Sequence, residues 1–190
     1  MVAIVAIFGT GSNAVWLHYE HLGELRGFSF RELVTLTTIG GLLMVITPVI
    51  ALKIFEKIGG FLPIIVGCAL QAIIVALYLT NPSPTIFAGC IIALNILICI
   101  LLPYARMLGA NLDSSGRIAA AAGGGDFLGS FAGPLFGGLF TVGLAGNGQF
   151  LWGLVSTFFV AAVLCVVAQR HTKRHARYWR HPPVEAPLFR

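Results

Sequence analysis

The sequence is poor in charged residues, and this scarcity narrows the class of protein before any motif is considered. Only 10% of its 190 residues are Asp, Glu, Lys or Arg, while 57% are hydrophobic. The mean hydropathy is +0.91. A water-soluble domain needs a polar, charged surface around its core. These values therefore exclude an ordinary soluble core and favour a polytopic membrane protein.

Patterns for metal binding and for disulfide bonds are also missing. No C-x-x-C spacing occurs, and the cysteines lie in apolar runs, which is typical of small packing residues. They are Cys68, Cys90, Cys99 and Cys165. His18 and His21 have a spacing that brings two imidazoles to one helix face, but no third ligand or H-E-x-x-H pattern accompanies them. We therefore expect no metal site and no cofactor, and we interpret the two histidines as part of an interfacial cluster.

Long uncharged runs predict six membrane-spanning helices. Residues 2–19 hold no Asp, Glu, Lys or Arg, and residues 58–105 hold none either. The second run is too long for one helix, and the N-P-S-P segment at 81–84 divides it, because proline and turn-forming residues disfavour continuous helix. The predicted fold is all-α, a six-helix transmembrane bundle over residues 1–169 with a basic tail at 170–190. The predicted spans are about 2–19, 33–52, 61–80, 85–105, 119–142 and 150–168.

The connections between these spans are predicted from their charged and turn-forming residues. Residues 53–60 are expected to form a short charged turn, 106–117 a polar loop and 143–148 a glycine-rich turn. With six spans, both termini lie on one side of the membrane. Cytoplasmic termini then place ten Lys or Arg residues inside and two, Arg26 and Arg31, outside. This agrees with the positive-inside rule.

The net charge of +5 is therefore explained by membrane topology and does not indicate a nucleic-acid partner. We expect an integral protein of a bacterial plasma (inner) membrane with both termini cytoplasmic. Membrane lipid is an expected partner, because the basic tail would attract anionic lipid. Simple anchoring of the topology explains that tail equally well.

The fifth predicted span carries a ridge of small residues at every fourth position. Its members are Ala121, Gly125, Gly129, Gly133, Gly137 and Thr141. In lipid, helices associate through close backbone approach, which such a ridge permits. Pro134 within the span suggests a kink. The ridge predicts either static tight packing or an interface that moves, and both interpretations stay open.

The same span carries the first of three motifs that resemble those of major facilitator superfamily transporters. Residues 129–138 read G-x-x-x-G-P-x-x-G-G, which resembles a pattern best known from the fifth helix of proton-coupled antiporters. The candidate helix-packing residues are Gly125, Gly129, Gly133, Pro134, Gly137 and Gly138.

Two loop motifs strengthen the resemblance. Glu56, Lys57 and Gly59 resemble a degenerate copy of the D-R-x-G-R-R loop after the second helix. Residues 113–117, D-S-S-G-R, are similar to the D-x-x-G-R segment that precedes the glycine-rich helix in C-terminal halves. The likeness covers residues 2 to about 169, and it favours the C-terminal six-helix half of such a transporter.

This resemblance implies a secondary active transporter that moves a small solute by alternating access, with proton coupling as one option. Such transporters pair two six-helix halves around a site at the membrane midplane. The implied partners are a small-molecule substrate and a second six-helix half, from the same gene or from another chain. Whether this chain is a fragment, a split half or a homodimerising half stays open.

Family architecture also implies which residues line the transport cavity. The first and fourth helices of each half face it. The cavity candidates are Asn13, Trp16, Tyr19, Glu20, Asn95, Cys99 and Tyr104. The two amides in this set must find hydrogen-bond partners in apolar surroundings, and a neighbouring helix is the alternative to a substrate. Gln71 in the third span is expected to form an interhelical hydrogen bond.

Asp126 is the main candidate for coupling, because a carboxylate inside a membrane helix requires a partner or a function. Ser130 follows at i+4 on the same face. The family resemblance implies that Asp126 forms a latch with the basic loop of the other half. A proton-coupling carboxylate and a static helix-terminal carboxylate are the two alternatives.

Two other classes of function compete with transport. The chain could be a non-transporting scaffold, an orphan half that only assembles with a partner. Ser130 in a glycine-rich helix also invites comparison with an intramembrane serine protease. The histidines all lie near or outside the membrane interfaces, however, so a Ser–His pair at depth is not expected and the protein is interpreted as a non-enzyme.

Overall fold

The computed structural model describes residues 1–141 and 147–174, and within these ranges it consists of α-helices without a β-strand. The helices are α1 (Val2–Leu17), α2 (Tyr19–Glu24), α3 (Phe30–Leu43), α4 (Thr47–Lys57), α5 (Leu62–Thr80), α6 (Pro84–Leu112), α7 (Arg117–Thr141) and α8 (Asn147–Arg174). Their starts follow local chemistry. Ser29 and Glu32 form a capping box at α3, and α4, α5 and α6 each have proline in their first turn.

Three of the described helices are long and apolar enough to cross a membrane, namely α5, α6 and α8. A fourth span results if α3 and α4, bent by 46° at their junction, are counted together. The prediction of an all-α protein with several membrane spans is confirmed in this form. The helices at the first and fifth predicted spans are not long and apolar enough to be counted in this way. Helix α1 has only 16 residues, and the glycines and Asp126 make α7 less apolar.

The first and second predicted spans are both interrupted in the structure. The first span ends at Leu17, and His18 separates α1 from α2. The second span is interrupted between Leu43 and Thr47, where Pro48 opens α4. In contrast, α7 continues as one helix through Pro134. Proline thus marks a break in one span and not in the other.

Several predicted loops are partly helical, so their boundaries were wrong. Residues 53–57 belong to α4 and residues 106–112 belong to α6. Lys, Arg and Glu are good helix formers, so charge marks the membrane surface and not the helix end. Gly59 and Gly60 form the actual turn, with φ of +60° and +64°.

The last predicted loop and the tail are only partly described. Asn147 and Gly148, assigned to a turn, lie in α8, while residues 143–146 fall outside the described ranges. Helix α8 continues to Arg174, so the predicted tail begins as helix. Residues 175–190 also lie outside the described ranges.

Helix α1 is the centre of the bundle. It packs along α7 and also contacts α8, and α8 in turn packs against α5. Helix α6 connects α5 and α7 to α3 and α4, since it contacts all four of these helices. Phe8 and Phe158 meet edge to face, 5.8 Å apart, where α1 crosses α8. The packing therefore places α1, α6 and α7 next to each other.

A tight polar turn connects α6 to α7. The Asp113 carboxylate accepts hydrogen bonds from the Ser115 backbone N–H at 3.0 Å and the Ser115 hydroxyl at 2.6 Å. Gly116 follows with φ of +75°, a conformation that favours glycine. The Ser115 hydroxyl and backbone N–H hold the pKa of Asp113 below its usual value. This turn is the D-x-x-G-R motif of the sequence.

Ser115→Ala is expected to raise the pKa of Asp113 towards the ordinary carboxyl value, because the hydroxyl no longer donates to the charged form. In the wild type, the stabilisation from Asp113 is present above the carboxyl's unfolded pKa and is lost as pH falls through the lowered folded pKa. The variant should therefore lose less stability on acidification. Thermal unfolding in detergent across acidic pH measures this, with Ser114→Ala as control. Equal pH profiles for both variants would contradict the prediction.

Candidate functional site

A polar cleft of about 230 Å³ lies between α1, α6 and α7. Helical spacing explains its composition, because residues three or four apart share a face. Its lining residues are Phe8, Gly9, Ser12, Asn13 and Trp16 from α1, Ile98 and Leu102 from α6, and Asp126 and Ser130 from α7. Four of the residues singled out from the sequence therefore meet here: Asn13, Trp16, Asp126 and Ser130.

Asn13 connects α1 to α7 across the cleft. Its Nδ2 donates to the Gly9 carbonyl at 2.9 Å and to the Ser130 hydroxyl oxygen at 3.4 Å. Both are neutral groups, so this part of the cleft is uncharged. The second bond joins residues 117 positions apart. An amide and a hydroxyl at this contact offer both donors and acceptors to a polar solute.

Asp126 forms an ion pair within the chain. Arg106 Nη2 lies 2.9 Å from Asp126 Oδ2, and the two side chains are 51% and 24% exposed, respectively. Ile98, Leu102 and Arg106 follow one another at intervals of four residues along α6, so they lie on the same face of the helix. From the sequence, Arg106 was interpreted only as a charge that sets the membrane topology. That 98–102–106 spacing is the signal that could have assigned it to the site.

The ion pair is partly solvated, so it contributes modestly to stability. Exposed pairs of this kind contribute about 0.2–1 kcal/mol. Such a pair can open without unfolding the protein. This differs from the expected latch, because the partner lies in the same chain. About half of the Arg106 side-chain surface is exposed, so the arginine stays accessible to a second half.

The glycine ridge of α7 lies directly against the backbone of α1. A Cβ at Gly125 would lie 2.7 Å from the Val2 carbonyl oxygen, and one at Gly129 would lie 2.7 Å from the Ala6 carbonyl oxygen. At Gly133 it would lie 2.5 Å from the Asn13 Cβ. No side chain fits at these positions. The two helices therefore touch backbone to backbone beside the cleft.

Helix α1 contributes a small residue of its own, Gly9, to this contact. Gly9 was not among the residues predicted from the sequence. A Cβ at Gly9 would lie 3.3 Å from the Gly129 Cα. At the far end of the ridge, a Cβ at Gly137 would lie 3.1 Å from His18 Nε2. Gly138 faces elsewhere, because a Cβ there would meet nothing within 4 Å. Pro134 is exposed and takes no part in the contact.

Two of the predicted cavity residues lie just beyond the cleft. The Tyr19 ring contacts the Trp16 ring edge to face at 5.3 Å. Glu20 is exposed on α2. Helix α1 ends at Leu17, and α2 begins at Tyr19 after a break at His18. These residues therefore continue the α1 surface beyond the cleft without lining it.

The three predicted residues of α6 face other helices. Asn95 donates to the Ile91 carbonyl at 3.2 Å and packs against Gly40 of α3. Cys99 is buried, and Tyr104 is fully buried. Helix α6 therefore presents Ile98, Leu102 and Arg106 to the cleft and this second set to α3, α4 and the loop after α4.

The loop motif after α4 is held by Tyr104. Its hydroxyl donates to the Gly60 carbonyl at 2.9 Å, and its ring contacts the Phe55 ring at 5.4 Å. Glu56 and Lys57 are exposed at the end of α4. Gly59 provides the left-handed backbone of the turn. The motif therefore lies on the protein surface, away from the cleft.

Gln71 behind the cleft wall forms the interhelical hydrogen bond expected from the sequence. Its Nε2 donates to the Ser12 hydroxyl at 3.1 Å, and that hydroxyl donates to the Phe8 carbonyl at 3.0 Å. Gln71 is fully buried. This chain of bonds ties α5 to the face of α1 that lines the cleft.

No protein-family model matches the chain, and no curated protein sequence matches it closely enough to count as a relative. The interpretation of the cleft therefore depends on its own residues and geometry.

Proposed function

We propose that this chain is one six-helix half of a secondary active transporter of the major facilitator type, moving a small polar solute by alternating access. Helix α1, the pair of α3 and α4, and each of α5 to α8 would be its six crossings. The second half would come from the same gene or from another chain. Its membrane would be a bacterial inner membrane with both termini cytoplasmic.

The observation that carries this proposal is the polar cleft between apolar helices. Polar and ionisable residues inside membrane helices are expensive and mark solute or ion pathways. Asn13, Ser130 and the Arg106–Asp126 pair gather at one cleft, although their helices are otherwise apolar. Small-molecule sites combine apolar walls with a few converging polar groups in this way.

The side-chain-free contact between α1 and α7 supports a moving site. Interlocked side chains would resist a shift of one helix along the other, whereas backbone contact across glycine does not. Two of the three helices that form the cleft meet at this contact. A small rocking movement of α7 on α1 would therefore change the cleft directly.

The main competing function is a scaffold that only assembles with a partner. Its support is the row of large apolar side chains on α7, with Phe127 81%, Phe131 75% and Leu135 61% exposed. Such a row can meet either lipid or another helix. We propose no catalytic role for Ser130, because among the described residues its hydroxyl bonds to Asn13 and not to a histidine.

Asn13→Ala is expected to lower solute uptake about tenfold, since one hydrogen bond to a polar solute contributes about 1–1.5 kcal/mol. The protein, together with its second half, would be reconstituted in vesicles and screened against radiolabelled small polar solutes.

Asp126→Asn would be tested in the same vesicles with and without a proton gradient. A loss of gradient dependence would assign proton coupling to Asp126, whereas unchanged coupling with altered conformational bias would assign a latch.

The matched control for Asn13→Ala is Asn95→Ala, which removes an amide of α6 that does not line the cleft. It should leave uptake near the wild-type value if the solute passes through the cleft. Uptake that is absent from vesicles containing both halves would contradict transport and favour the scaffold. Equal losses in both asparagine variants would contradict the assignment of the cleft.

A further inference from the structure

A second, larger cavity lies at the opposite end of α1 from α2. It has a volume of about 640 Å³, within the range of about 300–1,000 Å³ that small-molecule sites occupy. The start of α1, the ends of α6 and α8 and the start of α7 form its walls. Most of the lining is apolar, including Phe61, Leu112, Ile118, Leu164 and Val167.

The polar side chains of this cavity are found at one end. Arg117 and His171 line it there, together with Thr172. Leu164 and Val167 lie one to two turns earlier on α8, in the stretch Trp152–Thr172 that is long and apolar enough to cross a membrane. Along α8 the lining of the cavity thus changes from apolar to polar over about two helical turns, towards the end of the candidate span.

The charges around this end are predominantly positive. Arg170 precedes His171 on α8, and Arg117 opens α7. Asp113 lies near Arg117. Its carboxylate accepts hydrogen bonds from the Ser115 hydroxyl and backbone N–H, which lower the Asp113 pKa, and the positive charge of Arg117 helps to lower that pKa as well. A ligand for this cavity would therefore join an apolar chain to an anionic head.

We propose that this cavity binds one anionic phospholipid of the surrounding membrane. Its acyl chain lies against Leu164, Val167 and Ile118, and its phosphate lies at Arg117 and His171. Basic pockets between membrane helices near the surface are a recognised setting for such headgroups. A free phosphate would not use the apolar walls, and a neutral lipid would not use the cationic end. The proposal does not depend on the transport function.

Native mass spectrometry of the full chain in detergent tests the proposal, with phosphatidylglycerol and phosphatidylcholine as probes. One phosphatidylglycerol should remain bound per chain, in preference to phosphatidylcholine. Arg117→Gln should weaken this binding about fivefold, the effect expected for one basic residue near a membrane surface. Arg117→Lys should retain most of it, because the charge is kept. Arg31→Gln, an exposed arginine at the start of α3, is the charge control and should behave as wild type.

A second pair of variants tests the apolar walls. Ala121→Phe would fill the cavity, since Ala121 lines it, and it should reduce binding of phosphatidylglycerol severalfold. Ala120→Phe adds the same ring at an exposed neighbour that does not line the cavity, and it should have no effect. This pair distinguishes a lipid held in the cavity from lipid attracted to the basic end of α8.

Three results would overturn the proposal. Equal retention of both lipids would remove the anionic headgroup from the recognition. If Arg117→Gln and Arg31→Gln changed the binding of phosphatidylglycerol equally, the lipid would lie outside this cavity. The same would follow if Ala121→Phe and Ala120→Phe had equal effects on that binding. Displacement of phosphatidylglycerol by a synthetic peptide of residues 175–190 would assign the cavity to the C-terminal segment of the chain.

Discussion

Gly129→Ala is expected to destabilise the protein by about 2–3 kcal/mol, the upper range for overpacking of a close contact. The added methyl group would lie 2.7 Å from the Ala6 carbonyl oxygen and 2.9 Å from the Gly9 Cα. These are backbone atoms of a helix, so they cannot rotate away as a side chain can. Helices α1 and α7 must therefore separate along their contact. Thermal unfolding in detergent micelles would measure the loss.

Gly124→Ala is the matched control for this prediction. Gly124 lies in the same helix, and a Cβ there would meet nothing within 4 Å. Alanine is a better helix former than glycine by about 0.8–1 kcal/mol. Gly124→Ala should therefore be neutral or stabilising, while Gly129→Ala is destabilising despite the same gain in propensity. Shifts of the same sign and size would show that α1 and α7 do not touch at Gly129.

Arg26→Ala is expected to destabilise the protein by about 2–3 kcal/mol, the range of a hydrogen bond to a charged group in a partly buried site. The Arg26 guanidinium donates to the Tyr78 carbonyl at 2.8 Å and to the Asn81 carbonyl at 3.2 Å. It also lies 4.8 Å from the centre of the Phe87 ring. These carbonyls end α5, where helices lack internal donors. The variant would leave them unsatisfied.

The substitution Arg26→Lys separates charge from geometry at this position. A lysine keeps the positive charge near the end of α5, but its ammonium cannot reach several carbonyls in one plane as the guanidinium does. It should recover part of the stability. Arg31→Ala, an exposed site nearby in sequence, should change stability by less than about 0.5 kcal/mol. If Arg26→Ala behaved like Arg31→Ala in thermal unfolding, the cap would contribute nothing.

Arg26 shows a limit of reading charge from the sequence. By the positive-inside rule, Arg26 was predicted to be one of two basic residues on the outer side of the membrane. In the structure it is a structural cap that joins the loop after α2 to the end of α5, 52 positions away at Tyr78. Charge counting assigns a side of the membrane to an arginine. It does not identify the carbonyl groups that the arginine binds.

Some of the residues that line the cleft could be predicted from the sequence, and others could not. Asn13, Trp16, Asp126 and Ser130 could be chosen because polar or interfacial residues within apolar helices stand out. Asn95, Cys99 and Tyr104 were chosen, like Asn13 and Trp16, from the helices that the family resemblance places at the cavity, but they face α3, α4 and the loop after α4. Helical spacing shows that Asn95 and Cys99 share one face of α6. It does not show which neighbour that face meets.

The sequence by itself determined that the chain is helical and apolar, and that one helix offers a side-chain-free ridge. These properties follow from composition and from spacing within single helices, so no knowledge of neighbours is needed. Only the tertiary structure decided that α1 receives this ridge, that Arg106 pairs with Asp126 and that Asn13 meets Ser130. Those contacts depend on how helices far apart in the chain are packed. A periodic pattern identifies a helix face and leaves its partner undetermined.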